Sequence, residues 1–160
     1  MKVDPLFLAN GHKIIPVELP EIVRSFVKNE NWNELDHFIK IETRPEGLIG
    51  AIISQYIDHF EIEHIIALRK APDEDGIWHD DGSRDLAFSL SLNPRPNEII
   101  GGRLLLRNKG MPERIIPLQT QPWGHLILFL TGKQQFEHMT EAVQSGQRLV
   151  AAGWVTEKSS

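Results

Sequence analysis

The spacing of apolar residues changes near residue 62 of this chain. Before that point, the segments "LPEIVRSFVKNE" (19–30) and "EGLIGAIISQYIDHF" (46–60) carry apolar residues at intervals that place them on one side of a helix. Amphipathic helices of this kind bury their apolar stripe against another element. We therefore predict two helices, over 19–30 and 46–60, that pack against a sheet formed later in the chain.

After residue 62, short apolar runs are separated by Gly, Pro, Asn and Asp. The runs are "EHIIALRK", "DLAFSLSLN", "GRLLLRN", "RIIPLQ", "HLILFLT", "QFEHM" and "QRLVAAGWV". Evenly spaced short strands with turn signals between them are typical of an all-β sandwich or barrel. We expect a single domain over 1–160 that is mainly β with flanking helices: a helical support in 1–61 and a double-sheet β core in 62–156.

Composition and charge narrow the range of partners. The chain has 160 residues, of which 41% are hydrophobic and 24% charged, and its net charge is −5. A core of ordinary size is expected, whereas a nucleic-acid partner would need a basic patch that the sequence lacks. No apolar run approaches the length of a membrane span or of a secretory signal. We expect a cytoplasmic protein with no nucleic-acid or membrane partner.

The stretch "WHDDGSR" (78–84) is the first candidate for chemistry. The chain contains no cysteine, so a metal would have to be held by histidine, carboxylate or backbone oxygen. If residues 77–81 are extended, His79 and Asp81 point to one face and Asp80 points to the other. A histidine and a carboxylate on one face could hold one metal ion, although a polar hairpin loop accounts for the same residues.

A second histidine strengthens the metal interpretation. His138 lies in "QFEHM", three β-runs after His79, and a jelly roll can bring a late strand beside an early one. Two imidazoles and one carboxylate on one face of a metal form the ligand set of non-heme Fe(II) oxygen chemistry. The remaining histidines have no spacing that suggests a metal, and for His125 we expect a structural role.

Arg148 begins the run "RLVAAGWV", where it shares one face of a strand with Val150, Ala152 and Trp154. A cation among apolar neighbours requires an anionic partner, and no acidic residue lies within that strand. The carboxylate of a ligand would meet this requirement, because the planar guanidinium binds a carboxylate through two hydrogen bonds.

The order of these motifs resembles a known family. The H-x-D motif is followed by "LAFSLSLNP", "GGRLLL", "PWGHLILFLTG", a distal histidine, and an arginine six residues before a tryptophan. This order is similar to the Fe(II)/2-oxoglutarate-dependent dioxygenases, above all their prolyl-hydroxylase-like branch, over about residues 62–156. The resemblance implies a double-stranded β-helix, or jelly-roll, core with helices outside it. It also implies that His79, Asp81 and His138 bind Fe(II) and that Arg148 pairs with the distal carboxylate of 2-oxoglutarate.

The resemblance also implies an activity. Such enzymes consume O2, decarboxylate 2-oxoglutarate to succinate and CO2, and hydroxylate a C–H bond of the substrate, here a prolyl residue of a peptide or protein, a free amino acid or a small metabolite. Ascorbate is a further expected cofactor. The alternative is a non-catalytic jelly-roll module that binds a metal or 2-oxoglutarate, or an inactive relative of the oxygenases.

The sequence departs from this family in its tyrosines. Members often have a tyrosine just before the "LN" of the strand after H-x-D, where this chain has Ser91. The only tyrosine, Tyr56, lies in the second predicted helix. We therefore expect Ser91 to take over the contact with 2-oxoglutarate, with Arg69 as a weaker candidate. Arg103 replaces an acid that often follows the glycine pair, and we expect it to face solvent.

Overall fold

The structure is a computed structural model that describes residues 1–60 and 62–158. Its helices are α1 (Pro5–Asn10), α2 (Glu21–Lys28), α3 (Trp32–Glu42) and α4 (Leu48–Ile53). Its strands are β1 (His12–Pro16), β2 (Glu63–Lys70), β3 (Leu86–Ser91), β4 (Ile100–Gly101), β5 (Leu104–Asn108), β6 (Ile116–Leu118), β7 (His125–Leu130), β8 (Phe136–Thr140), β9 (Val143–Ser145) and β10 (Gln147–Val155). Short 3-10 turns occupy Pro96–Glu98 and Gly132–Gln134.

The strands form two facing antiparallel sheets and a short two-stranded pair. The five-stranded major sheet has the order β1-β7-β3-β10-β2, and the three-stranded minor sheet has the order β6-β5-β8. The pair β4-β9 forms a separate two-stranded sheet. His79 forms an antiparallel bridge with His138, so the segment before β3 extends the minor sheet beyond β8.

Side chains alternate between the two faces of the major sheet, as the period of a strand requires. One face packs against the helices, and the residues buried there include Leu86, Phe88, Leu126, Leu128 and Leu149 of the sheet with Val23, Leu35, Ile39 and Ile53 of the helices. The other face packs against the minor sheet, through Ala87, Ile127, Phe129 and Trp154 on one side and Leu104, Leu106 and Leu118 on the other. The helices therefore cover one face, and the interior between the sheets stays free of them.

The N-terminal residues place a strand at the edge of the major sheet. Asp4 begins α1, because its Oδ1 accepts the N–H of Phe7 at 2.7 Å, and Pro5 occupies the first turn. Gly11 ends the helix with a φ of 73°, a left-handed conformation that favours glycine. A Cβ at Gly11 would lie 2.3 Å from the ring of Phe136, so this turn also requires a residue without a side chain.

The predicted jelly-roll core with outer helices is confirmed. Both predicted helices are present but shorter, since the stripe in 46–60 is helical only over Leu48–Ile53 and continues as a turn. The spacing of apolar residues did not predict α3. It also did not predict β1, a five-residue strand that pairs with β7. No helix in the described part of the chain is long and apolar enough to cross a membrane.

Candidate active site

His79 and His138 are adjacent on the minor sheet. The N–H of His79 donates to the carbonyl of His138 at 3.0 Å, and the reverse bond measures 2.8 Å. The centroids of the two imidazole rings are 4.3 Å apart. The ring of His138 meets the edge of Phe129 at 4.9 Å, which shows that it points into the space between the sheets. One pair of backbone hydrogen bonds therefore brings His79 and His138 together, although they are far apart in the sequence.

Asp81 completes a cluster with these two histidines. Its Oδ1 lies 3.4 Å from Nε2 of His79, and its Oδ2 lies 3.4 Å from Nε2 of His138. Each of the three side chains offers a ligand atom, and those atoms all lie within 4.8 Å of one another. Within residues 1–60 and 62–158 this is the one group of three or more such side chains with metal-ligand spacing.

The burial of the cluster sets its electrostatics. Asp81 Oδ2 and His138 Nδ1 are buried and have no hydrogen-bond partner. Burial raises the pKa of the Asp81 carboxyl, while the charges and dipoles of His79 and the Trp154 indole oppose that rise. Burial also lowers the pKa of His138 to about 3, with a smaller contribution from His79. A buried carboxylate oxygen without a donor, beside the neutral imidazole of His138, fits a bound cation.

A hydrogen bond at Nδ1 of His79 leaves Nε2, on the side of Asp81, available as a metal ligand. Nδ1 lies 2.7 Å from the carbonyl of Ile77, which can only accept, so Nδ1 carries the proton and Nε2 keeps its lone pair. The side chain of His79 is 54% exposed, whereas those of Asp81 and His138 are 10% and 8% exposed. The cluster is therefore open to solvent on the side of His79.

The backbone of the H-x-D motif differs from the extended geometry that the period-two argument assumed. Asp81 has a φ of 58°, in the left-handed region. Asp80 nevertheless points away from the cluster, as expected: its Oδ1 accepts the N–H of Gly82 at 2.9 Å, and its Oδ2 pairs with Lys109. Lys109 is the main cause of a lowered pKa of Asp80.

Trp78 lies on the outer face of the minor sheet, opposite to His79. The guanidinium of Arg107 lies 3.9 Å from the centroid of the indole ring and pairs with Glu137 at 2.6 Å. Arg107 and Glu137 are paired in the β5-β8 register next to the pair of Leu106 and His138. Because neighbouring residues in a strand face opposite ways, this arrangement keeps the charged pair outside and His138 inside.

Arg148 is buried and has no hydrogen-bond or ion-pair partner among the described residues. Burial, together with the nearby charge of Arg69, lowers the pKa of Arg148 to about 10, so the side chain is still a cation at neutral pH. Arg69 is the cross-strand neighbour of Arg148, but its guanidinium already bonds to the carbonyls of Thr140 and Glu74 and to the carboxylate of Asp73. Of the two cations, Arg148 is therefore the one able to take an external anion.

Arg103 is partly exposed, and both of its hydrogen bonds at 2.6 Å go to the carboxylate of Glu141. In the described part of the chain, its side chain forms no hydrogen bond or ion pair with Arg148 or with the cluster of His79, Asp81 and His138. The guanidinium at this position therefore stabilises the connection between β5 and the segment after β8.

Ser91 and Arg148 line the same narrow cavity between the sheets. The Ser91 hydroxyl donates to the carbonyl of Gln121 at 2.7 Å and accepts from Nδ2 of Asn93 at 3.0 Å. Oδ1 of Asn93 accepts the N–H of Leu149 at 2.6 Å, which fixes the strand next to Arg148. Asn93 was not singled out from the sequence, because an asparagine after a strand is typical of a turn.

The cavity that Ser91 and Arg148 line is small. Its volume is about 10 Å³, close to the minimum for one water molecule. Further along β10, Ala152 lies opposite Ser89 of β3, and Val150 lies opposite Ala67 of β2. Small residues therefore follow one another from Arg148 toward Trp154 on the inner face of the major sheet.

Comparison with known proteins identifies the fold. No protein-family model and no curated protein matches the sequence. Among solved structures, a prolyl-4-hydroxylase of Pseudomonas putida aligns with 95% of this chain and 91% of its own length, with a TM-score of 0.64 and 18% identity. This chain has the fold of a 2-oxoglutarate-dependent oxygenase. At this level of identity the likeness concerns the fold and not the reaction.

Two further solved structures illustrate the range of this fold. A prolyl hydroxylase of Trichoplax adhaerens, in complex with a peptide fragment of hypoxia inducible factor, aligns with 94% of this chain and 86% of its own, with a TM-score of 0.64 and 15% identity. The non-heme α-ketoglutarate-dependent epimerase SnoN of nogalamycin biosynthesis aligns with 96% and 84%, with a TM-score of 0.63 and 13% identity. Similar structures thus serve different reactions.

Proposed function

We propose that the protein is an Fe(II)- and 2-oxoglutarate-dependent oxygenase that hydroxylates a C–H bond of its substrate. The observation that carries the proposal is the cluster of His79, Asp81 and His138, whose ligand atoms lie within 4.8 Å of one another and include a buried carboxylate oxygen without a donor. Two imidazoles and one carboxylate leave coordination positions for other molecules, as non-heme Fe(II) oxygenases require.

The residues of the cluster have complementary roles in this proposal. Bound Fe(II) would supply the activation of O2 that drives the decarboxylation of 2-oxoglutarate to succinate and CO2. Asp81 would contribute the one negative charge among the protein ligands. His138 stays neutral because of its burial, and His79 presents Nε2 because Nδ1 is bonded to Ile77. Each imidazole therefore directs one ring nitrogen toward the metal position.

Arg148 is the proposed binding residue for the distal carboxylate of 2-oxoglutarate, with Ser91 beside it. A buried guanidinium without an internal partner is costly unless an anion binds to it. The Ser91 hydroxyl donates its proton to the carbonyl of Gln121 in this structure. Because a carboxylate only accepts hydrogen bonds, this hydroxyl would have to rotate away from Gln121 to donate to 2-oxoglutarate. Because the cavity measures about 10 Å³, the side chains that line it must move apart to admit a dicarboxylate.

For the substrate, we propose a prolyl residue of a peptide or protein, or a free amino acid or small metabolite. The exposed side of His79 would accept either. The peptide complex of the similar Trichoplax adhaerens hydroxylase supports the first choice, and the epimerase SnoN supports a small molecule. A cytoplasmic location and the use of ascorbate stay predictions, and the extent of the domain over 1–160 stays a proposal.

Succinate formation tests the proposed reaction without knowledge of the substrate. Purified protein is incubated with Fe(II), 2-oxoglutarate and ascorbate under air, and succinate is measured over time. Asp81→Asn is the inactive comparison, and Glu137→Gln is the matched control, since Glu137 lies next to His138 but on the outer face. We expect succinate from the wild type and from Glu137→Gln and none from Asp81→Asn.

A non-catalytic module that binds a metal or 2-oxoglutarate is the second candidate. The small cavity beside Arg148 and the replacement of the family's tyrosine by Ser91 favour it. In that case calorimetry would detect binding of the metal or of 2-oxoglutarate, while succinate would not form, even with libraries of peptides and amino acids present. Succinate formation that depends on Asp81 would exclude this candidate.

A further inference from the structure

Asp81 occupies a backbone conformation that it does not favour by itself. Its φ of 58° and the φ of 63° at Gly82 place two consecutive residues in the left-handed region. Aspartate tolerates this conformation better than most residues, but the surrounding structure must still hold it there. The position of the Asp81 carboxylate therefore depends on contacts made by its neighbours.

Asp80 supplies contacts on both sides of this turn. Its Oδ1 accepts the N–H of Gly82 at 2.9 Å, which closes a local turn around Asp81. Its backbone carbonyl accepts the N–H of Gly132 at 2.7 Å. Its second carboxylate oxygen, Oδ2, pairs with the ammonium group of Lys109. Every hydrogen-bond acceptor of Asp80 is thus engaged, and all of the bonds restrain the residue just before Asp81.

Lys109 connects this turn to the strand that carries the second histidine. It follows the end of β5, where Asn108 pairs with Phe136, two residues before His138. The N–H of Lys109 donates to the carbonyl of Gln135 at 2.8 Å. One residue therefore touches the start of β8 through its backbone and the turn of Asp81 through its side chain.

We propose that the Asp80–Lys109 pair is a positioning element that holds Asp81 at the correct distance from His138 and so determines metal affinity. The proposal rests on the metal centre proposed above. Neither residue would touch the metal: the pair acts by fixing the left-handed turn relative to β8. Residues that orient metal ligands are typically worth 10–100-fold in affinity, so we expect roughly a tenfold effect for this indirect contact.

Cobalt binding to the metal-free protein tests this role apart from activity. Co(II) affinity is measured by calorimetry and its coordination by visible absorption, for the wild type, Lys109→Met, Lys109→Arg and Asp80→Asn. Asparagine at position 80 keeps an acceptor for Gly82 but removes the charge that attracts Lys109. We expect about tenfold weaker binding and an altered spectrum for Lys109→Met and Asp80→Asn, no further loss in the double variant, and near wild-type affinity for Lys109→Arg.

Lys133→Met is the matched control. The side chain of Lys133 pairs with the buried Asp85, and within the described residues it forms no hydrogen bond or ion pair with residues 79–82. Far-ultraviolet circular dichroism confirms that each variant is folded. Equal Co(II) affinity of Lys109→Met and the wild type would overturn the positioning role alone. Failure of the wild type to bind Co(II), or binding that survives in Asp81→Ala, would overturn the metal centre as well.

Discussion

Oδ2 of Asp81 lies 3.4 Å from Nε2 of His138, and neither this oxygen nor Nδ1 of His138 has a hydrogen-bond partner. Two buried polar side chains that face each other without a shared proton are costly in the interior of a protein. A divalent cation between Oδ2 of Asp81 and Nε2 of His138 would remove that cost for the carboxylate oxygen and would be bound by His79 as well. This relationship and the unpartnered charge of Arg148 have consequences for metal binding, 2-oxoglutarate binding and stability.

The first prediction concerns the charge of Asp81. Asparagine also tolerates a left-handed backbone, so Asp81→Asn removes the charge and keeps the turn. We expect Fe(II) affinity to fall about 100-fold or more, because even residues that only orient a metal ligand contribute 10–100-fold. Calorimetric titration of the metal-free protein measures the change. Wild-type affinity in Asp81→Asn would show that the cluster does not use this carboxylate.

The second prediction separates binding from stability at Arg148. Arg148→Met should weaken 2-oxoglutarate binding by roughly 2–5 kcal/mol, the usual effect of removing one partner of a buried charge pair. The same variant should unfold at a higher temperature without 2-oxoglutarate, since an apolar side chain replaces an unpaired buried charge. Arg103→Met, whose guanidinium is bound by Glu141, serves as the control for 2-oxoglutarate affinity. A variant that loses both stability and affinity would point to an internal partner of Arg148.

The third prediction concerns Ser91. Ser91→Ala removes the hydrogen bond to Gln121 and leaves Nδ2 of Asn93 without its acceptor. The free energy of unfolding should fall by about 2 kcal/mol, because two hydrogen bonds are lost and each usually contributes about 1 kcal/mol net. Urea unfolding measures it, and titration with 2-oxoglutarate shows whether Ser91 also contributes to binding. Unchanged affinity would mean that the hydroxyl serves the connection between β3 and β10 only.

The fourth prediction is a pH dependence that arises from His138. The unfolded histidine takes up a proton near pH 6.5, whereas the folded pKa is about 3, so between these values the unfolded state binds more protons. Stability of the metal-free protein should therefore fall as the pH falls from 6.5 toward 3, by up to about 1.4 kcal/mol per pH unit. Asp81 changes the stability in the opposite direction: burial raises its pKa, so its contribution to stability rises as the pH falls.

The measurement for His138 is therefore made in an Asp81→Asn background, with and without His138→Gln. Unfolding free energies are compared between pH 6.5 and the lowest pH at which both proteins are folded. The variant with glutamine should lose less stability on acidification. Parallel curves for the two proteins would show that His138 is protonated in the folded state.

The short apolar runs separated by turn residues were sufficient to predict the double-sheet core, because runs of this length between Gly, Pro, Asn and Asp are typical of strands even where both faces are buried. The run of β7, for example, buries Leu126 and Leu128 against the helices and Ile127 and Phe129 against the minor sheet. By contrast, β1 could not be predicted, since its pairing with β7 supplies the stability that its own pattern does not indicate.

The sequence grouped His79, Asp81 and His138 as a hypothesis, and the structure places them within metal-ligand spacing, but the sequence did not predict the geometry of the turn. The period-two argument placed Asp80 away from Asp81, and the structure agrees, but the cause is a left-handed turn and not an extended strand. The roles of Asn93 and Lys109 could not be inferred either. Each depends on a contact with a residue distant in sequence, Leu149 for Asn93 and Asp80 for Lys109, which no local pattern encodes.

The cluster of His79, Asp81 and His138 belongs to the layer of the minor sheet, whereas Arg148 belongs to the major sheet. A molecule bound at both ends would therefore link the two sheets. The hydrogen bond from Arg69 in β2 to the carbonyl of Thr140 in β8 already crosses the same gap. Amide hydrogen exchange in β8 and β10 should therefore slow together when such a molecule binds.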